Sequence, residues 1–141
     1  MTTSKDDLGI ETLPLGGITF DNNVVMSFGY DQKVRLRIES DFSLTNGITG
    51  SSELLHFVPS EEPRRDSSFR QLLLLVNQTV ESAGISAIGV LTLRFSGGAK
   101  VSIDPHGRYE AWEIMGPGRR LQVCRPGGEV VVFEDEETPL S

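Results

Sequence analysis

The sequence contains a single cysteine, Cys124, so it can form neither an internal disulfide nor a cysteine-based metal site. Its two histidines, His56 and His106, lie far apart in the chain and match no metal-ligand spacing. A Gly-x-Ser-x-Gly nucleophile elbow is also absent. These absences argue against a metal site, a cofactor and nucleophilic catalysis, and they favour a protein that is not an enzyme.

Long apolar stretches are missing as well. The longest is Leu72–Val76, far shorter than the roughly 20 residues that a membrane-spanning helix needs. Residues 1–7 are polar and acidic, without the basic start and apolar core of a secretory signal. We therefore expect a cytoplasmic protein that does not enter a membrane.

Basic residues are outnumbered, and the net charge of −7 argues against a nucleic-acid partner. The charge is uneven, since residues 64–125 are net basic whereas residues 1–63 and 126–141 are net acidic. One interpretation is an ordinary mixed surface followed by a solvated acidic tail. The other is a basic patch for an anionic ligand or partner, including Arg119, Arg120 and Arg125.

Strand patterns dominate what is present. Val34–Ile38 alternates strictly between apolar and charged residues, and the turn residues 31–33 join it to the apolar run Val24–Tyr30 as a hairpin. Turns rich in glycine and proline separate five further strand candidates and predict a C-terminal meander. These candidates are Val90–Phe95, Ala99–Ile103, Tyr109–Met115, Leu121–Cys124 and Val130–Phe133.

One helix is expected over residues 67–83. Ser68 and Gln71 match a capping box, apolar residues recur at helical spacing, and Gly84 is the expected stop. The fold class follows as α+β and mostly β, with antiparallel sheets from two hairpins and the meander packed on one central helix. We expect a flexible segment at 1–14, one domain at 15–134 and an acidic tail at 135–141.

An internal similarity links the two hairpins. Ser27–Ile38 aligns without a gap on Thr92–Ile103, 65 residues later, so that Phe28 matches Leu93 and Ile38 matches Ile103. Period-two alternation alone can make two hairpins alike. The alternative is a duplicated hairpin unit with the helix between its copies.

The one candidate site is the segment around Glu110 and Trp112. On a strand these two side chains share a face, so a core-facing Trp112 would carry Glu110 inward. A buried carboxylate needs hydrogen-bond donors or a cation, and Arg94 or Arg125 on neighbouring strands could supply one. Glu110 is then either a structural carboxylate or a binding or acid–base group in a pocket lined by Trp112.

Three terminal motifs resemble a family of small, uncharacterised actinobacterial domains. They are Tyr-Glu-Ala-Trp at 109–112, Gly-Pro-Gly at 116–118 and Pro-Gly-Gly at 126–128, and the resemblance is strongest over residues 84–134. It implies a shared fold of hairpin, helix and terminal meander, and it carries no activity, cofactor or catalytic residue.

Three functions stay open at this point. We favour a non-enzymatic module that binds another protein, of an immunity or regulatory type, because an acidic domain can steer towards and mask a basic partner. The first alternative is a small-ligand-binding protein or enzyme with a pocket around Glu110 and Trp112. The second is a structural or oligomerising domain, for example a homodimer joined along edge strands.

Overall fold

The alternating segments form two antiparallel sheets. A computed structural model describes residues 8–20, 23–55 and 66–134, without the side chains of residues 53–55 and 66–69. The first half contributes β1 (Leu15–Phe20), β2 (Val24–Phe28), β3 (Val34–Ile38), β4 (Phe42–Thr45), β5 (Ser52–Leu55) and α1 (Asp66–Leu73). The second contributes β6 (Val80–Ile85), β7 (Leu91–Phe95), β8 (Lys100–Ile103), β9 (Trp112–Met115), β10 (Leu121–Cys124) and β11 (Val130–Phe133).

The chain changes sheet twice. Six strands form one sheet in the order β1-β2-β3-β9-β10-β11, and five form the other in the order β5-β4-β8-β7-β6. All of these pairings are antiparallel. Apolar residues from one face of each sheet form a single buried cluster, with Phe28 and Trp112 from the first sheet and Phe42 and Phe95 from the second. The two sheets therefore pack face to face as a sandwich.

The two halves of the chain have the same strand plan. In strand order β1 to β5 correspond to β6 to β10, because β3 pairs with β9 just as β8 pairs with β4. Even a bulge recurs, after Leu15 in β1 and after Val80 in β6. Leu15 pairs with Phe28 and Val80 pairs with Phe95, so Phe28 is equivalent to Phe95 rather than to Leu93. The predicted gapless alignment is thus wrong by two residues in this strand, whereas the similarity of the halves is confirmed.

The halves meet at an approximate two-fold axis. Pro14 forms an isolated antiparallel bridge with Thr79. Thr79 lies 65 residues later and is the residue of the second half that is equivalent to Pro14. Thr12 and Asn77 are likewise equivalent, and both have positive φ values, 70° and 77°. Matching hydrogen bonds flank the bridge, from Leu15 N–H to the Gln78 carbonyl at 2.8 Å and from Val80 N–H to the Leu13 carbonyl at 2.9 Å. Symmetry this detailed favours a duplicated unit over chance resemblance between hairpins.

The predicted central helix is wrong in extent and in role. Helix α1 ends at Leu73, a turn region follows, and the chain is already a strand at Val80. The apolar spacing misled the prediction because Leu72 and Leu75 are buried from a helix and a turn, whereas Val80 is buried from β6. The described part of the chain thus contains one short helix, and the hairpins pack sheet against sheet.

Two further boundaries differ from the predictions. The five-strand meander is divided between the sheets, because β7 and β8 belong to the second sheet and β9, β10 and β11 to the first. The segment predicted to be flexible is packed from residue 8 onwards, since Leu8 and Ile10 are fully buried. The predicted acidic tail lies outside the described residues.

Candidate functional site

Trp112 is a core residue. Its indole is fully buried, and Nε1 donates a hydrogen bond to the Gly89 carbonyl at 3.2 Å. Glu110 lies at the surface, before β9 begins. Glu110 does not point into the core as expected, because the alternation of β9 starts only at Trp112. A fully buried indole does not line an open pocket, so these two residues do not form one together.

The three arginines expected to form a basic patch do not all come together. Arg119 and Arg120 occupy the turn between β9 and β10, whereas Arg125 follows the far end of β10. A four-residue strand separates the two positions by roughly 15 Å. Arg125 pairs with Glu129 at 3.9 Å, and Arg120 is buried.

Three carboxylates meet where β3 and β9 pair. Glu39 follows β3, and its N–H donates to the Ala111 carbonyl at 2.8 Å, which brings it beside Glu110 and Glu113. One carboxylate oxygen from each of these three residues lies within 4.8 Å of the others. We call Glu39, Glu110 and Glu113 the acidic cluster. Within the described residues its one ion pair is from Arg37 to Glu113, at 4.0 Å.

Within the acidic cluster, the charged form of Glu39 is disfavoured. Partial burial raises the pKa of the Glu39 carboxyl above its usual value, and the charges of Glu113 and then Glu110 raise it further. The Arg37 guanidinium lowers the pKa of Glu39 and offsets part of this rise. The charged form of Glu39 therefore costs free energy that a neighbouring cation would recover.

Replacing Glu39 by glutamine should stabilise the fold at neutral pH. The raised pKa means that the folded state binds the Glu39 proton more tightly than the unfolded chain does. The stability that this proton gives the fold is fully present below the pKa of Glu39 in the unfolded chain. It is lost as the pH rises through the pKa of Glu39 in the folded state. Because solvent screens the partly exposed carboxylate, Glu39→Gln should add only about 0.5 kcal/mol to the free energy of unfolding at pH 7.

Urea denaturation at pH 4 and pH 7 measures this effect. The difference between Glu39→Gln and the unchanged protein should be larger at pH 7 than at pH 4. Glu81→Gln, on the exposed part of β6 in the other sheet, is the matched control and should change little. A Glu39→Gln protein that is less stable at pH 7 would show that the carboxylate is held favourably.

An apolar surface adjoins the acidic cluster on the solvent face of the six-stranded sheet. Trp112 and Ile114 point into the core, so Glu113 and Met115 lie on the opposite face. The strand registers align Met115 with Leu121 and Phe133, and Glu113 with Val123 and Val131. We call the five apolar members of these rows the apolar stripe: Met115, Leu121, Val123, Val131 and Phe133.

The apolar stripe departs from the usual pattern of an antiparallel sheet. Such a sheet commonly has polar residues on its solvent face. Arg35 and Arg37 follow this pattern on β3. Phe133 is 55% exposed, and three other members are partly exposed around the buried Val123. Contiguous apolar surface of this kind often marks an interaction site.

An aromatic pair precedes Glu110 in the chain. The rings of His106 and Tyr109 stack with centroids 3.8 Å apart, and His106 Nδ1 accepts a hydrogen bond from the Arg108 N–H at 3.0 Å. The Tyr109 side chain remains accessible, since the residue is 44% exposed.

Cys124 is a buried free cysteine. Its thiol lies 3.6 Å from the Gly89 carbonyl oxygen, and burial raises its pKa above the usual value. A thiol that is less ionised and fully covered is a poor nucleophile.

Oxygen ligands at the spacing of the acidic cluster are also the kind that Ca²⁺ and Mg²⁺ take. The spacing of histidines and cysteines in the sequence predicted no metal site, and of these three glutamates only Glu110 was a predicted site residue. Glu39 lies about 70 residues before Glu110 and Glu113 in the chain. Only the pairing of β3 with β9 reveals the cluster, so no local motif could have found it.

The model of a family of unknown function (DUF6188) matches residues 7–134. No curated protein and no solved structure matches the chain. No helix in the described ranges is both long and apolar enough to cross a membrane.

Proposed function

The chain belongs to the family of unknown function DUF6188, and from its own surface we propose that it is a non-enzymatic protein-binding module. The observation that carries this proposal is the continuous outer surface on which the acidic cluster adjoins the apolar stripe. Burial of the stripe supplies binding energy, at roughly 25 cal/mol for each Å² of apolar surface removed from water. The carboxylates supply orientation and selectivity for a basic partner.

Three features favour a basic protein as the partner. The whole chain has a net charge of −7, which speeds the approach of a cationic surface. The Glu39 carboxylate gains stability when a cation approaches, because its charged form is disfavoured in the free protein. Tyr109 adds an accessible aromatic ring of the kind that is enriched in protein interfaces.

Several finer expectations stay predictions within this proposal. They are an immunity or regulatory role, a cytoplasmic location and an actinobacterial range for the family. The homodimer is an alternative that the same surface permits. The full burial of Trp112 argues against a ligand pocket or active site that it would line together with Glu110.

Site-specific photo-crosslinking in the native host tests the proposal. A photoreactive phenylalanine analogue at Leu121 reports on contacts of the apolar stripe, and the same analogue at Ser82 reports on the exposed edge of the other sheet. We expect the Leu121 position to capture one defined basic protein that the Ser82 position does not. Equal capture by both positions, or capture by neither, would contradict the proposal.

Charge removal tests the acidic cluster in the same experiment. The double substitution Glu39→Gln and Glu113→Gln should weaken binding of the captured protein roughly tenfold, mainly by slowing association. Raising the salt concentration should reduce binding to the unchanged protein more than to the double variant. Glu81→Gln serves again as the control, with binding expected to stay unchanged.

A further inference from the structure

Edge strands of a sheet expose unpaired backbone groups, and natural proteins usually block them with bulges, charges or prolines. Three of the four edge strands here carry such a feature. Strands β1 and β6 each have a bulge, and β5 contains Glu53 in its sequence. Strand β11 consists of three valines and a phenylalanine in unbroken register with β10.

The pattern of hydrogen bonds between β10 and β11 shows which backbone groups of β11 point away from the sheet. Arg125 N–H donates to the Glu129 carbonyl at 2.8 Å, and the register then continues regularly to the pair of Leu121 with Phe133. Because hydrogen-bonded and non-bonded pairs alternate, Val130 and Val132 point their N–H and C=O groups away from β10. In the described part of the chain β11 is the last strand of its sheet, so these four groups have no strand beside them.

We propose that the outer edge of β11 receives an extended segment of the partner protein as a seventh strand. This inference rests on the proposed protein-binding function and states how the partner is held. Backbone hydrogen bonds to Val130 and Val132 give affinity, as in other cases of strand addition. Alternate apolar side chains of the added strand extend the apolar stripe beyond Phe133.

Charge complementarity identifies the partner segment as apolar with basic flanks. Glu129 precedes β11 and keeps its side chain 71% exposed while it pairs with Arg125, and the acidic residue Glu134 follows the strand. Residues 126–141 contain five acidic residues and no basic one. A second copy of this chain is the wrong occupant, because antiparallel pairing of β11 with itself brings together two segments that both have acidic residues at their ends and no basic residue over 126–141.

Selection from a displayed library of random ten-residue peptides tests the inference on the full chain. We expect the enriched peptides to contain β-branched or aromatic residues at alternate positions, with lysine or arginine on both sides. Val132→Pro removes one outward N–H and should weaken the best peptide about tenfold. Val132→Thr keeps that N–H and the β-branched shape, so it should bind like the unchanged protein.

Amide hydrogen exchange provides a readout that does not depend on the variant folding. In the unchanged chain the amides of Val130 and Val132 should exchange quickly, and the peptide should slow them about tenfold or more. No enrichment, or a peptide that protects neither amide and tolerates Val132→Pro, would overturn the inference. The proposed function survives such a result if crosslinking at Leu121 still captures its partner.

Self-association is the remaining outcome. Light scattering over a range of protein concentrations should show no growth in mass without peptide. A dimer whose formation protects Val130 and Val132 would assign the edge to a second copy and overturn the inference.

Discussion

Replacing Gly89 by alanine is expected to lower the free energy of unfolding by about 3–4 kcal/mol. Its φ of +91° is one that L side chains rarely adopt. An added Cβ would also lie 2.4 Å from the Gly128 carbonyl oxygen and 2.8 Å from its Cα, both of which are backbone atoms. Because no side-chain rotation relieves that contact, the loop before β7 must move away from the turn before β11.

The movement would also disturb the core. The Gly89 carbonyl accepts the indole N–H of Trp112, so displacing the loop breaks the hydrogen bond that satisfies this buried donor. Urea denaturation measures the loss of stability. Gly84→Ala is the matched control, because an added Cβ there meets no atom within 4 Å, and its effect should stay within about 0.5 kcal/mol. Equal effects of the two substitutions would show that the contact between the loops is not tight.

Trp112→Ala is expected to cost about 3–5 kcal/mol, because it removes the largest fully buried side chain and leaves a cavity. Trp112→Phe keeps most of the apolar volume but loses the N–H donor to Gly89, so it should cost about 1–3 kcal/mol. Since Trp112 is the only tryptophan, unfolding of these variants is best followed by far-ultraviolet circular dichroism.

The same variants separate a core role from a role in a binding pocket. If Trp112 acts only in the core, the folded Trp112→Phe protein should bind the crosslinked partner with unchanged affinity. The double variant Gly89→Ala and Trp112→Phe should lose less stability than the sum of the single losses, because both changes break one hydrogen bond. A stable Trp112→Phe protein with impaired binding would restore the pocket interpretation.

Local sequence patterns predicted the hairpins well. The bounds of β10 and β11 agree with the predicted segments, and Val34–Ile38 is β3 as expected. Each of these strands is short, alternates regularly and is bounded by turn residues whose backbone preferences are strong. Such features act between neighbours in the chain, so the sequence shows them directly.

Pairings between distant strands could not be predicted in this way. The chain crosses from one sheet to the other between β3 and β4 and again between β8 and β9, and nothing in the alternation marks these crossings. The acidic cluster depends on one of these pairings, which is why Glu39 was overlooked as a site residue. The apolar stripe was hidden too, because its members read individually as ordinary strand residues.

The prediction of the central helix failed for a different reason. Leu72, Leu75 and Val80 are all buried, and their spacing suits one face of a helix. Val80 instead pairs with Phe95 as an equivalent of Leu15. Here the long-range pairing and the two-fold arrangement outweighed local helix propensity.

Hydrogen–deuterium exchange of the chain, alone and in complex with the protein captured at Leu121, tests the central claim most directly. The account predicts that protection on binding concentrates in the six-stranded sheet, at residues 110–115 and 121–133. Protection confined to the opposite sheet, on β5, β4, β8, β7 and β6, would contradict it.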